Sequence, residues 1–166
     1  MLKVLTKGCE PTKGSKYSAA VDLYASEDIV IGAGETAIVG LGVCIDIDSL
    51  ISRLYTSDIE YKKQTFMASY YLELHPRSSL AAKGLIFNIG IIDLDYKDEI
   101  KAIIHKTLNG GEDFSANMGG FMGFSDINHS YNIKKGDKLA QVILKEHKNY
   151  LFGIESEEEC GHRDLL

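Results

Sequence analysis

A cluster of polar side chains follows an apolar, strand-like run in the stretch ELHPRSSLAAKG, residues 73–84. Arg77 carries a permanent charge on a planar fork of donors, and Ser78 and Ser79 add two hydroxyl groups. This combination suits the oxygens of a phosphate ester. The same residues also fit a surface turn with capping serines and an exposed arginine. The stretch by itself therefore leaves both interpretations open.

A second group of polar side chains follows the apolar run in NIGIIDLDYKDEI. Asp93 and Asp95 stand two positions apart, and carboxylates at that spacing on an extended chain point to the same face. One of them could hold a water molecule or a metal ion while Tyr96 forms the wall of a pocket. A turn rich in aspartate is the alternative interpretation.

Composition limits the classes of function. The chain has 166 residues, of which 45% are hydrophobic, so it is long enough for one domain with its own core. Its apolar runs are shorter than the ~20 residues of a membrane span, and its start resembles no secretory signal, so we expect no membrane association. Three cysteines without metal-ligand spacing favour a reduced, cytoplasmic compartment, or a host-cell interior if the protein is viral. The net charge of −6 argues against nucleic acid as a partner, although it permits one small anionic ligand.

Alternation of apolar and polar residues in several segments indicates β-strands. The positions predicted to face inward are Val39, Leu41, Val43, Ile45, Ile47, Ile100, Ala102, Ile104, Ala140, Val142 and Leu144. Gln141, at the end of the stretch KKGDKLAQ (134–141), falls on the opposite face of its strand, where its amide could reach a ligand. No sustained amphipathic helix is visible. The sequence therefore predicts an all-β fold, a compact barrel or jelly roll.

Two long insertions interrupt this pattern. Residues 49–72 are polar and aromatic, and we expect a loop with one helical turn near its start, capped by Asp48 or Ser49. Residues 107–132 contain five glycines, and loops of this length are usually functional or disordered. We expect residues 1–155 to form the single domain and residues 156–166 to form an acidic, solvated tail.

Four stretches, taken in this order, resemble the trimeric deoxyuridine triphosphatases, the dUTPase family. SAAVDLYAS, centred on Asp22, is similar to the first family motif, PRSSLAAKG to the second, GIIDLDY to the third and KKGDKLAQ to the fourth. The second and third motifs are specific, whereas the first and fourth would be weak alone. The resemblance runs from about Ala19 to Lys145 apart from the insertions. It implies a distorted β jelly roll or barrel, assembled as a homotrimer with active sites at the subunit interfaces.

The resemblance also implies a reaction, the hydrolysis of dUTP to dUMP and pyrophosphate by attack of water on the α-phosphorus. Asp93 matches the catalytic aspartate of the family, which orients and deprotonates that water. Arg77 and Ser78, with Ser79 beside them, match residues that bind the phosphate chain. Gln141 would add a further phosphate contact.

The remaining matched residues concern the nucleoside and the metal. Tyr96 matches the residue that packs under deoxyribose, where a 2′-hydroxyl would clash. Asn88 and its neighbours match the hairpin whose backbone reads the edge of uracil. Asp22 lies nearer the phosphate and metal side and would act through water. Mg²⁺ is implied as the cofactor because one or two cations in an acidic protein cannot neutralise three phosphates.

The chain departs from the family pattern at two single positions and at its C-terminus. Ala20 and Asp98 stand where the family usually has glycine, which tolerates a positive φ. The last residues, EEECGHRDLL, lack the family's Gly-rich arm with Phe and Ser, which closes over the substrate.

The insertion at 107–132 offers a replacement for that arm. It contains GGFMGFSD, in which glycines accompany Phe121, Phe124 and Ser125. Such a loop could form a lid, since its amides could approach an anion and a Phe could stack on uracil. A flexible loop of accidental composition is the alternative.

Two other functions remain open at the level of sequence. A dCTP deaminase would share the fold and the Arg-Ser-Ser stretch, but the position of its catalytic glutamate is occupied here by Ile103. A catalytically weak or inactive nucleotide-binding relative, regulatory or structural, would fit the missing arm. The retained Asp93 and Tyr96 argue against it.

Overall fold

Strands dominate the computed structural model, which describes residues 1–107 and 130–152. The described strands are β1 (Leu2–Val4), β2 (Val21–Tyr24), β3 (Ile29–Ile31), β4 (Thr36–Gly40), β5 (Val43–Ile45), β6 (Tyr70–Pro76), β7 (Leu85–Phe87), β8 (Gly90–Asp93), β9 (Lys101–Lys106), β10 (Tyr131–Ile133) and β11 (Lys138–Glu146). The described helices are α1 (Ile47–Leu54), α2 (Ile59–Met67) and α3 (Ser78–Ala81), and a 3₁₀ helix covers Asn149–Phe152. This content confirms the predicted all-β class.

The described strands form four antiparallel sheets. The largest has the strand order β2-β11-β6-β8, and a three-stranded sheet has the order β4-β9-β7. Two-stranded sheets pair β1 with β5 and β3 with β10. Strands that lie side by side come from distant parts of the chain, since β2 pairs with β11. No helix among the described residues is long and apolar enough to cross a bilayer.

The core follows the predicted alternation closely. The inward positions that prove to be buried are Val39, Leu41, Val43, Ile45, Ile47, Ile100, Ala102, Ile104, Ala140 and Val142. Leu144 is the exception, with 39% of its surface exposed. Strand β2 pairs with β11 only as far as Val142, so β2 does not extend far enough to cover Leu144.

The first insertion is not the loop that the sequence predicted. Helix α1 begins two or three residues earlier than expected, and its N-cap is Asp46 instead of Asp48 or Ser49. The Asp46 carboxylate accepts hydrogen bonds from the Ser49 amide (3.0 Å) and hydroxyl (2.6 Å). These hydrogen bonds, with the hydroxyl the larger cause, lower the pKa of Asp46 and so favour the charged cap.

Helix α2 fills the rest of the insertion, and none of its residues is buried. Phe66, in its last turn, stacks on Tyr70 with ring centroids 4.7 Å apart. Residues 70–72, predicted as part of the insertion, already belong to β6. A nine-residue helix without a buried face gives little amphipathic signal, which is why the sequence pattern missed it.

Gly42 lies where the chain passes from β4 to β5, and two observations restrict this position to glycine. Its φ is +64°, and a Cβ atom added there would lie 2.6 Å from Cβ of the buried Cys9. Gly136, in the turn before β11, has a φ of +86° but nothing within 4 Å of an added Cβ. The two glycines therefore share the backbone requirement and differ in the steric one.

We expect Gly42→Ala to lower the free energy of unfolding by about 2–4 kcal/mol, because it adds overpacking to backbone strain. Gly136→Ala is the matched control, and backbone strain alone should cost about 1 kcal/mol. Urea titration followed by circular dichroism measures both. Equal losses of unfolding free energy in the two variants would show that the structure around Cys9 accommodates the added Cβ atom without cost.

Candidate active site

Three strands of the largest sheet bring together residues that are far apart in the sequence. Gln141 on β11 is paired with Asp22 on β2 and, on its other side, with His75 on β6. Cross-strand partners point to the same face, so these three side chains share one face of the sheet. Arg77 follows directly after the end of β6.

A cavity of about 500 Å³, here called the first cavity, opens at this place. It is lined by Gly14, Ser18, Ala19, Ala20, Asp22, Arg77, Ser78, Ser79 and Gln141. The structure thus brings together five of the residues singled out in the sequence, namely the four predicted phosphate ligands and Asp22. Gln141 Nε2 donates to the carbonyl oxygen of Pro76 (3.3 Å), which fixes the amide beside Arg77.

Asp22 holds two cations at the edge of the first cavity. Its side chain is only 13% exposed, with Oδ2 lying 3.0 Å from Nζ of Lys138 and Oδ1 3.8 Å from Nε of Arg77. The hydrogen bond from Lys138 to Asp22 is the main cause that raises the pKa of Lys138, which therefore keeps its charge at neutral pH. Two positive charges consequently stand beside two serine hydroxyls and an amide, a set that can bind phosphate oxygens.

Lys138 is the member of this set that the sequence did not assign. Simple alternation places it on the opposite face from Gln141. The pairing between β2 and β11 shifts between Lys138 and Ala140, and this irregularity breaks the alternation. Leu139 and Ala140 are both buried, and Lys138 reaches Asp22.

Helix α3 holds the serines in place. The chain leaves β6 through Arg77 in an extended conformation and forms a single helical turn from Ser78. Leu80 is buried and anchors this turn to the core. Gly84, with a φ of +73°, reverses the chain into β7. The polar residues of the second motif are therefore held between a strand end and a buried anchor.

The other predicted residues lie in or after the connection between β7 and β8, which is not the expected hairpin because β7 pairs with β9 and β8 pairs with β6. Asn88 is exposed between β7 and β8, and Asp93 is exposed at the end of β8. The amide of Tyr96 donates to the carbonyl of Asp93 (3.1 Å), and its hydroxyl donates to the carbonyl of Glu99 (3.4 Å). Burial, and then the charges of Asp98 and Glu99, raise the pKa of Tyr96, so its hydroxyl stays neutral.

These residues do not join the first cavity of the same chain. Asp93 is paired with Tyr71, near the start of β6, whereas Arg77 follows the last residue of that strand. Arg77 follows Tyr71 by six residues of extended chain, so the position beside Asp93 and the position of Arg77 are about 20 Å apart. One protomer therefore presents two separate groups of predicted site residues.

The two departures from the family motifs are compatible with the backbone. Among the described residues other than glycine, only Asp58 has a positive φ. Ala20 and Asp98 therefore adopt conformations that any residue tolerates, and the replacement of glycine strains neither turn.

The described residues offer one carboxylate to a metal at the first cavity. Nowhere in residues 1–107 and 130–152 do three or more His, Cys, Asp or Glu side chains form a group that could hold a metal ion. Mg²⁺ in proteins is commonly held by one or two carboxylates together with substrate phosphates and water. Asp22 fits that arrangement for an ion carried by a phosphate chain.

The predicted lid residues Phe121, Phe124 and Ser125 lie outside the described residues, as does the predicted tail at 156–166. The proposed replacement of the arm by the 107–132 loop stays a prediction.

The fold and the first cavity define an all-β protein with a site suited to phosphate oxygens. The family model for dUTPase matches residues 50–120. Deoxyuridine 5′-triphosphate nucleotidohydrolase of Candida glabrata is 32% identical over 140 residues, which cover 84% of this chain and 71% of the relative. The Saccharomyces cerevisiae protein of the same name is 31% identical over 137 residues, 82% of this chain and 67% of the relative. The chain belongs to the dUTPase family.

Solved structures agree on the fold. The dUTPase from phage phi11 of S. aureus superposes with a TM-score of 0.61 at 18% identity, covering 99% of this chain and 98% of that one. The dUTPase of Staphylococcus bacteriophage 80alpha with dUPNHPP gives a TM-score of 0.61 at 19% identity, covering 100% of this chain and 90% of that one.

Proposed function

We propose that this chain is a dUTP diphosphatase, which hydrolyses dUTP to dUMP and pyrophosphate. The first cavity carries the proposal, because it gathers Arg77, Ser78, Ser79 and Gln141 beside Asp22. Membership of the dUTPase family supports it, and the fungal relatives carry the name deoxyuridine 5′-triphosphate nucleotidohydrolase.

In this proposal the first cavity binds the phosphate chain. The guanidinium of Arg77 and the hydroxyls of Ser78 and Ser79 donate to phosphate oxygens, and Gln141 adds its amide. Negative charge moves toward the leaving pyrophosphate as the bond between the α-phosphorus and the bridging oxygen breaks. Donors already fixed by the fold stabilise that charge without reorganisation.

Asp93 is the proposed general base. Its carboxylate orients a water molecule and accepts one proton from it as the water oxygen bonds to the α-phosphorus. Asp93 is exposed at the end of β8 and so is accessible to a substrate bound by another surface. General-base catalysis of this kind typically contributes ~10²–10⁴-fold to the rate.

The two groups of residues meet only if separate chains associate. The separation of about 20 Å within one protomer supports a site built from Asp93 of one copy and Arg77 of another. Ile89 and Ile91, on the segment that leads to Asp93, are exposed, and Ile91 presents 71% of its surface. Exposed apolar residues beside a functional group favour an interface between copies. The family resemblance implies that the assembly is a homotrimer.

Residues between β7 and β9 would select the nucleoside. Tyr96, held through its hydroxyl to the Glu99 carbonyl, would pack under deoxyribose and exclude a 2′-hydroxyl. Asn88 and its neighbours between β7 and β8 would read uracil through their backbone. The proposal also includes the prediction from the sequence that the loop at 107–132 closes over the substrate.

Mg²⁺ is the proposed cofactor. Bound to the triphosphate, the ion would neutralise part of the phosphate charge, and Asp22 would contact it through water. A mutant dUTPase of phage phi11 is described with a coordinated structural Mg(II) ion, which supports a divalent metal in the family.

A pyrophosphate-release assay with dUTP, dTTP, UTP and dCTP tests the proposal. We expect dUTP to be cleaved fastest, UTP slowest because of its 2′-hydroxyl, and all turnover to fall when EDTA removes Mg²⁺. Binding of dUTP without hydrolysis would instead favour an inactive nucleotide-binding relative.

Release of ammonia from dCTP would contradict the proposal in favour of a deaminase. Ile103, at the position of the deaminase glutamate, lies half exposed on β9 and carries no acid–base group. We therefore expect no ammonia.

A further inference from the structure

A second cavity of about 350 Å³ adjoins the first and shares Arg77 and Ser79 with it. It is lined by Arg77, Ser79, Leu80, Lys83, Tyr131, Ile133, Asp137, Lys138 and Leu139. Its volume lies within the range of about 300–1,000 Å³ that is usual for small-molecule sites. Arg77 and Ser79 are therefore accessible from both cavities, and a ligand that contacts them in the first cavity lies beside the second.

The second cavity is positively charged in a chain whose net charge is −6. Three of its lining residues are cations, Arg77, Lys83 and Lys138, and one is an acid, Asp137. The carboxylate of Asp137 accepts a hydrogen bond from the backbone amide of Lys134 in its own turn (2.9 Å). The charge of the lining therefore favours an anion.

Lys83 is the cation of this group with the least compensation. Arg77 and Lys138 both face Asp22, but Lys83 forms no ion pair with any carboxylate in the part of the chain that the structure describes. Its ammonium lies 3.5 Å from the hydroxyl oxygen of Tyr131 and 5.6 Å from the centre of that ring. Lys83 and Tyr131 thus present a cation and a hydroxyl side by side.

A buried lysine supports the backbone under Lys83. Lys106 is only 5% exposed, and its Nζ donates to the carbonyl oxygen of Lys83 (3.2 Å). The amide of Thr107 donates to the carbonyl of Gly84 (2.9 Å). The turn that carries Lys83 is therefore fixed to β9 and does not depend on a ligand for its position.

We propose that the second cavity binds the two terminal phosphates of the substrate and, after cleavage, the pyrophosphate, with Lys83 and Tyr131 as the residues that distinguish a triphosphate from a shorter chain. The inference rests on the proposed hydrolysis of dUTP and assigns a place to the leaving group. The α-phosphate occupies the first cavity at Ser78 and Gln141. The chain then passes Arg77, which lines both cavities, so that the terminal phosphates reach Lys83.

Lys83→Met tests this assignment because it removes the charge and keeps the length of an exposed side chain. Calorimetric titration with inorganic pyrophosphate, with the analogue dUPNHPP and with dUMP measures the three affinities. We expect Lys83→Met to lower the affinity for pyrophosphate and for dUPNHPP about tenfold or more, because a charged hydrogen bond is lost. The affinity for dUMP should stay within about twofold of the wild-type value. Tyr131→Phe, which removes only the hydroxyl, should show the same selectivity with a loss of about threefold.

Two further variants separate a specific contact from general effects. Lys148→Met makes the same change of charge at an exposed position that lines neither cavity, and it should change none of the affinities. Lys83→Arg keeps the charge and should restore most of the affinity for dUPNHPP.

The outcomes distinguish the inference from the function on which it rests. If the wild-type protein cleaves dUTP but Lys83→Met binds pyrophosphate and dUPNHPP normally, the inference alone is wrong. The inference is also wrong if Lys83→Met lowers the affinity for dUMP as much as the affinity for dUPNHPP. Wild-type protein that releases no pyrophosphate from dUTP would contradict the proposed function, and the inference with it.

Discussion

Asp93→Asn is expected to reduce the turnover of dUTP by ~10²–10⁴-fold or more while leaving the affinity for dUPNHPP nearly unchanged. The amide of asparagine keeps the shape of the carboxylate but cannot accept a proton from the attacking water. Because Asp93 is exposed at the end of β8, the substitution should leave the free energy of unfolding unchanged within about 0.5 kcal/mol. Steady-state pyrophosphate release and calorimetric titration measure the two quantities.

Asp95→Asn is the matched control for this experiment. It makes the same chemical change two positions away, at another exposed carboxylate of the same motif. We expect its turnover to stay within a few-fold of the wild type. Turnover of Asp93→Asn at that same level would remove Asp93 from the mechanism.

Two inactive variants are expected to regain dUTP turnover when they are refolded together. Arg77→Ala should lose ~10²-fold or more in turnover because the leaving pyrophosphate loses its bidentate donor. If each site takes Asp93 from one chain and Arg77 from another, unfolding Asp93→Asn and Arg77→Ala together and refolding them produces some intact sites. Random assembly gives roughly one intact site in four, so about a quarter of wild-type activity should return.

A second mixture provides the control. Asp93→Asn refolded with Asp93→Ala contains no chain with an intact Asp93, so this mixture should return no activity. Recovery in neither mixture, with trimers present in both by light scattering, would show that the active site belongs to a single chain.

The sequence predicted the strands well because their signal is local. Burial of Val39, Leu41 and Val43 depends only on alternation, and alternation is visible in any short window. Helix α2 has no buried residue, so the sequence contains no periodic apolar stripe that would predict it. The cap at Asp46 was missed because several polar residues near the start of α1 suit a cap equally well.

The site was predicted in identity more than in arrangement. Four motifs identified Arg77, Gln141 and Asp22, and the structure places all three at one cavity. Lys138 was missed because the register shift between Lys138 and Ala140 places it on the face opposite to the one that simple alternation predicts. The separation of Asp93 from Arg77 follows from strand pairing, which no local pattern encodes.

The pairing of β2 with β11 also has a consequence for the order of events during folding. Lys138 and Asp22 are 116 residues apart in the chain, and the first cavity needs residues from both strands. Contacts across so long a loop form slowly, because closing the loop costs entropy before the contact stabilises it. A nascent chain on the ribosome that has emerged only as far as β7 already carries Asp22 and Arg77, yet it lacks Lys138 and Gln141. The first cavity is therefore complete only once the chain has been synthesised through β11, and we expect an N-terminal fragment that stops earlier to lack the proposed nucleotide affinity.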